Sequence, residues 1–242
     1  SEDYIYKHVL NVAILSAIIA GQMGFPVGRI NLLVKSAILH DIGALKLQQL
    51  PDAEDLDDGT KEVVKKNTQE TLARYGDLDE EVLRLITQMQ ELYTRESDAE
   101  IPAAIKESVN ANILYVADAY DRMTAMKSFE EPTSEVKAVR ELLADEERYN
   151  KKIVNALIHG ISILYPGVCV ELSNGEKGLV ITENEDNIFE PIVLDFRNNN
   201  LYDLSDPSVK QTVEIADVMK TMDNRHIVDH EALAKYKGET VH

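Results

Sequence analysis

The chain has 242 residues, 44% of them hydrophobic, and carries a net charge of -18 at pH 7. That size and apolar content can bury a sizeable core in one large domain, or in a domain with a small appendage, and they exclude wholesale disorder. A surface so acidic repels phosphate backbones, which excludes nucleic acid as a favoured partner, and any anionic substrate would have to be met by a metal ion or a placed Arg or Lys.

The first two thirds read as helices. Tyr4 to Gln22 carries Ile5, Val9, Val12, Leu15 and Ile19 at helical spacing and stops at the breaker from Gly21 to Pro26. Val9 to Ala20 is interrupted by Asn11 and Ser16 and lacks a basic flank and a cleavage site, so neither a membrane span nor a signal peptide is expected. Val27 to Leu39 is a second helix, with Ile30, Leu33, Val34, Ala37 and Ile38 inward. The loop from Ala44 to Gly59 has an acidic tip, "DAEDLDDG". The tip fails the calcium-loop template, because Leu56 and Lys65 stand where oxygen ligands are needed, and it reads as a solvated loop.

Thr60 is placed to cap a helix from Lys61 to Tyr75, with Gly76 as its stop. Asp79 to Arg95 follows, and Pro102 opens a long helix through Ala125. Thr133 to Leu143 and Asn150 to Tyr165 bring the helices to about seven. At Pro166-Gly167 the period changes from helical to alternating: Val168, Val170 and Leu172 oppose Cys169, Glu171 and Ser173. "NGEKG" is a turn, "LVITE" and "PIVLDF" are further strands, and a closing strand is expected near Val213 to Val218. The expected fold class is mainly α: a helical bundle over residues 1–165, a small antiparallel β subdomain over 166–222 and a polar tail over 223–242. The single cysteine, Cys169, excludes an internal disulfide and a multi-cysteine zinc cluster, and points to a reducing, cytoplasmic setting.

Of six histidines, His226, His230 and His242 lie in the tail and His159 is read as a satisfied structural histidine. His8 and His40 lie on otherwise apolar helical segments, where an unpaired imidazole is costly. His40 is followed by Asp41 in "ILHDIGA", and Asp118 sits in the apolar run "ANILYVADAYDRMTA", where a carboxylate needs a cation or strong donors. Two imidazoles and two carboxylates suit manganese, iron, nickel or zinc, and a buried His/Asp hydrogen-bond network is the alternative.

The order His8, then His40-Asp41, then Asp118 resembles the quartet of the HD superfamily of metal-dependent phosphohydrolases. "DYIYKHVLNVAIL", "LLVKSAILHDIGA" and "IPAAIKESVNANILYVADAYDRMTA" resemble the HD-GYP branch, whose active members hydrolyse cyclic di-GMP, over roughly residues 3–165. The resemblance implies an HD-type helical bundle and two or three metal ions in active members. Their ligands add a histidine after the HD loop and a His-His pair before the GYP segment. Here Asn67 stands at the first of these positions and Met89-Gln90 at the pair, with Glu91 retained, and the GYP tripeptide is absent. Lys127 stands for a phosphate-contacting arginine, while Glu130 and Glu131 fall where cations are expected.

The chain is therefore expected to be a degenerate HD-GYP domain holding at most one divalent ion, or none. Arg122, one helical turn after Asp118, can supply a substitute cation, or it can face solvent or pair with Asp121. The leading functional expectation is a non-catalytic signalling or scaffold module in cyclic di-GMP pathways, with a signalling protein or a second copy as partner. The alternatives are a single-metal phosphodiesterase and a receptor that binds cyclic di-GMP without cutting it.

Overall fold

A computed structural model describes residues 2–47, 58–74, 78–93, 101–125 and 132–219. The chain divides into a mainly helical unit of Ser1–Thr133 and Lys137–Ile161, and a second unit of Ser134–Val136 and Ser162–His242.

The helical unit starts with α1 (Glu2–Gln22) and α2 (Val27–Leu39), followed by a 3-10 turn at Ile42–Lys46. Helices α3 (Asp58–Leu72), α4 (Glu80–Tyr93), α5 (Ala103–Lys106), α6 (Val109–Thr124), α7 (Glu135–Ala144) and α8 (Lys151–Ile161) complete it. Helix α1 packs on α2, α6 and α8, and α4 packs on α2 and α6. Val12, Ile19 and Ala20 of α1 and Ile113, Leu114, Val116 and Ala117 of α6 are fully buried. Two central apolar helices thus face each other, and a titratable side chain buried between them needs a hydrogen-bond partner within the protein.

The structure corrects several sequence expectations. Thr60 lies inside α3, which begins two residues earlier, so it is not the cap; Asp58 and Gly59, read as the end of the acidic loop, already belong to α3, while residues 52–57 of the acidic tip, Gly76 and the tail from 220 on lie outside the described residues. The long helix expected from Pro102 to Ala125 is broken after Lys106. The Ser108 hydroxyl accepts the Ala111 N–H (3.4 Å) as an N-cap, and the Asn112 amide donates to the Lys106 and Ser108 carbonyls (2.9 Å each), so side chains replace the ladder at the break. Helix α8 stops at Ile161, where Ser162 takes a positive φ of 47°. His159 is exposed and not a buried structural histidine. Tyr4–Gln22 is, by length and composition, apolar enough to cross a membrane, contrary to the expectation; about half of that stretch is buried inside the protein, as in a core helix.

The second unit is an antiparallel sheet of β1 (Cys169–Leu172), β2 (Lys177–Thr182), β3 (Ile192–Asp195), β4 (Leu201–Asp203) and β5 (Ile215–Val218), in the order β4-β3-β2-β1-β5. The alternation read in the sequence is kept, with Val170 and Leu172 buried and Val170 facing Gly178 across the β1–β2 pair. In the connecting turn Gly175 adopts φ 82°, which a side chain would disfavour. A short helix α9 (Pro207–Lys210), capped by Asp206, and strand β4 were not foreseen.

Candidate metal centre

His8 faces inward from α1, His40 ends α2, Asp41 opens the 3-10 turn and Asp118 lies midway along α6. The tight turn after Asp41 is held from outside. The Gly43 N–H donates to the Thr68 hydroxyl of α3 (3.1 Å), and the amides of Asn67 and Gln90 donate to the Gly43 carbonyl (3.4 Å) and the His40 carbonyl (3.3 Å).

The four side chains converge. His8 Nε2 lies 2.9 Å and His40 Nε2 3.2 Å from Asp118 Oδ1, and both nitrogens lie 3.7 Å from Asp41 Oδ2. All four donor atoms fall within 4.8 Å of one another. His8, His40 and Asp118 are at most 2% exposed. The other nitrogen of each imidazole is tied back: His8 Nδ1–H donates to Asp121 Oδ2 and His40 Nδ1–H to the Ala37 carbonyl, both at 2.6 Å. Asp121 is fixed in turn by the Asn11 amide (2.8 Å). One nitrogen bound to a carboxylate or carbonyl and the other presented to a shared point is how metal-binding histidines are oriented. With two nitrogen and two oxygen donors, the set fits a divalent first-row ion.

Arg122 resolves the alternatives left by its position. Its Nε–H donates to Asp118 Oδ2 (2.8 Å) and its Nη2–H to Asp41 Oδ2 (2.9 Å). It does not take Asp121, whose oxygens go to His8 and Asn11. The Tyr93 hydroxyl also donates to Asp118 Oδ2. The electrostatics follow. Burial opposes the charge on Asp118, but Arg122 and the two imidazoles hold its carboxyl well below the usual range. Asp41 is likewise lowered against its burial, by His40 first and then Arg122. Burial and Arg122 both disfavour a charged His8, yet its hydrogen bonds to Asp118 and Asp121 lift it to about 9. Burial, and then the Asp118 charge, push the Tyr93 phenol well above its ordinary value.

Met89 is fully buried in the core of α4. Gln90 leaves its Oε1 buried without a hydrogen-bond partner. Glu91 pairs at 3.8 Å with Lys65. Lys127, Glu130 and Glu131 lie outside the described residues. Asp121, Asn11, Thr68 and Tyr93 were not singled out in the sequence. Asp121 could have been found as a second acid on the His8-facing side of α6, three residues beyond Asp118; Tyr93 carries no such signal.

Comparison with known proteins agrees with this geometry. The family model of the HD domain matches residues 5–123, just short of half the chain, and spans all four converging residues. The chain is 24% identical over 225 residues to the cyclic di-GMP phosphodiesterase PdeB of Borreliella burgdorferi, covering 88% of this chain and 58% of that protein. It is 21% identical over 198 residues to the cyclic di-GMP phosphodiesterase PA4108 of Pseudomonas aeruginosa, covering 80% of this chain and 48% of the relative. The chain thus spans about half the length of the curated relatives it matches.

Proposed function

We propose that this chain is a degenerate member of the HD-GYP branch of the HD superfamily, serving as a non-catalytic signalling or scaffold module in cyclic di-GMP pathways. Helix α4 carries this reading. Where the resemblance calls for a His-His pair, Met89 is fully buried and Gln90 gives its amide to the His40 carbonyl. On α3, Asn67 likewise turns to the Gly43 carbonyl. Asn67 and Gln90 offer only weak, neutral amide donors, and a buried thioether is the wrong donor for a phosphohydrolase ion. Two-metal cleavage of a phosphodiester needs both ions to activate water and to neutralise the developing charge. His8, His40, Asp41 and Asp118 would hold one ion, with Asp121 and the Ala37 carbonyl orienting the imidazoles. Such an ion supplies Lewis acidity and an acidified water.

A second reading, a single-metal phosphodiesterase acting on cyclic di-GMP or a related phosphoester, is favoured by one observation. The outer hydrogen bonds of both histidines are intact, so the quartet keeps the orientation that an ion requires. The discriminating experiment is elemental analysis and cyclic di-GMP turnover on the same purified protein in manganese, iron and nickel. At most one ion per chain and no efficient turnover are expected. Ordinary enzymatic turnover that is abolished by Asp41→Ala would instead establish the hydrolase. Binding of cyclic di-GMP without cleavage would make the chain a receptor.

A further inference from the structure

We propose that Arg122 is a built-in competitor for the divalent ion of this site, so that the position of its side chain sets the site's metal affinity. The inference rests on the donor set described above but not on whether the protein is catalytic. It starts from one shared atom. Asp41 Oδ2 accepts from Arg122 Nη2 at 2.9 Å, and the same oxygen, 3.7 Å from both imidazole Nε2 atoms, completes the four-donor group. Guanidinium and ion therefore draw on one oxygen. Asp118 divides its oxygens: Oδ1 faces the imidazoles, while Oδ2 is held by Arg122 and Tyr93.

A guanidinium does not vacate such a place by losing a proton. An ion must either bind beside a fixed positive charge or displace the side chain from two carboxylates, and both routes weaken binding. Displacement is open sterically, because the Arg122 side chain is 22% exposed and lies in the last turn of α6. Asp118, in contrast, is fully buried and stays in place. Arg122 thus does two things: it neutralises the carboxylates when no ion is bound, and it raises the concentration at which an ion enters.

The test is Mn2+ titration of the full chain by calorimetry and electron paramagnetic resonance, for the wild type, Arg122→Gln and Arg122→Lys. Removing the charge in Arg122→Gln is expected to tighten Mn2+ binding by about ten-fold or more, since a like charge near the ion is lost. Arg122→Lys, which keeps the charge and loses the fork, should fall between. Equal or weaker Mn2+ binding by a folded Arg122→Gln would overturn the proposal, as would a lysine variant that binds more tightly than the glutamine one. If the glutamine variant does not fold, the wild type alone decides. Titration with Zn2+ should shift the 15Nε–1H signal of Arg122, and saturation with no change in that signal would refute competition. Cyclic di-GMP turnover is measured on the same samples. Turnover would overturn the non-catalytic reading and leave this one standing, and unchanged metal affinity would do the reverse.

Discussion

Both oxygens of Asp118 are committed, one to the imidazoles of His8 and His40 and the other to Arg122 and Tyr93, and the group is fully buried. Asp118→Asn keeps the shape but removes the charge and turns an amide N–H2 toward donors. Breaking a buried pair in this way leaves uncompensated charge, so a loss of about 3 kcal/mol is expected in urea denaturation; a loss under about 1 kcal/mol would show that the network is not what holds these helices together. Asp121→Asn is a gentler probe, since it leaves the quartet in place and weakens only the orientation of His8. Mn2+ affinity should fall by about 10- to 100-fold with the far-ultraviolet circular dichroism unchanged, as for other partners that orient a ligand. At this scale the sequence was legible where chemistry conflicts with surroundings: His8, His40 and Asp118 stand in apolar runs. It was not legible where a residue suits either role. Tyr93 reads as one more core aromatic, and the hydrogen bond it makes reaches a residue 25 positions away on another helix.

The element that fixes the centre is the 3-10 turn after Asp41, and its tightness depends on Gly43. A Cβ at Gly43 would come within 2.3 Å of the Val64 carbonyl and 2.4 Å of the Thr68 amide, both backbone atoms of α3 that cannot step aside. Gly43→Ala should therefore cost about 2–3 kcal/mol in urea denaturation, the usual scale of overpacking, and should weaken metal binding by shifting Asp41. Wild-type stability in that variant would mean that α3 does not clamp the turn. The same balance of local and tertiary forces decided which elements could be read in advance. Apolar spacing gave α1 and α2, because each buries one face against neighbours. The break between α5 and α6 was hidden, since Ser108 and Asn112 satisfy the interrupted backbone with side chains inside a continuous helical pattern. Strand β4 was hidden for the opposite reason: three residues long and without a buried side chain, it has no alternation to betray it.

For the whole molecule the governing quantity is charge: 43 acidic residues against 25 basic ones. Some of that excess is locally balanced, as by Arg122 at Asp41 and Asp118, and a buried pair of this kind is screened little by salt. Exposed pairs such as Lys151–Glu146 and Arg84–Glu81 are screened, but each contributes only about 0–1 kcal/mol. The unpaired acids act over a longer range and oppose compaction. At about 10 mM salt the screening length is roughly 30 Å, so acids across a domain repel one another, and at about 150 mM it shrinks to roughly 8 Å, so only near neighbours do. Salt should thus relieve more repulsion than it removes attraction. Raising sodium chloride over that range is expected to stabilise the protein by about 1 kcal/mol, seen as a rise of roughly 2–4 °C in the midpoint of thermal unfolding. A falling midpoint would mean that the exposed ion pairs outweigh the net charge. The same screening should leave the stability difference between wild type and Asp118→Asn nearly unchanged, because that difference arises at a buried carboxylate, where salt screens little.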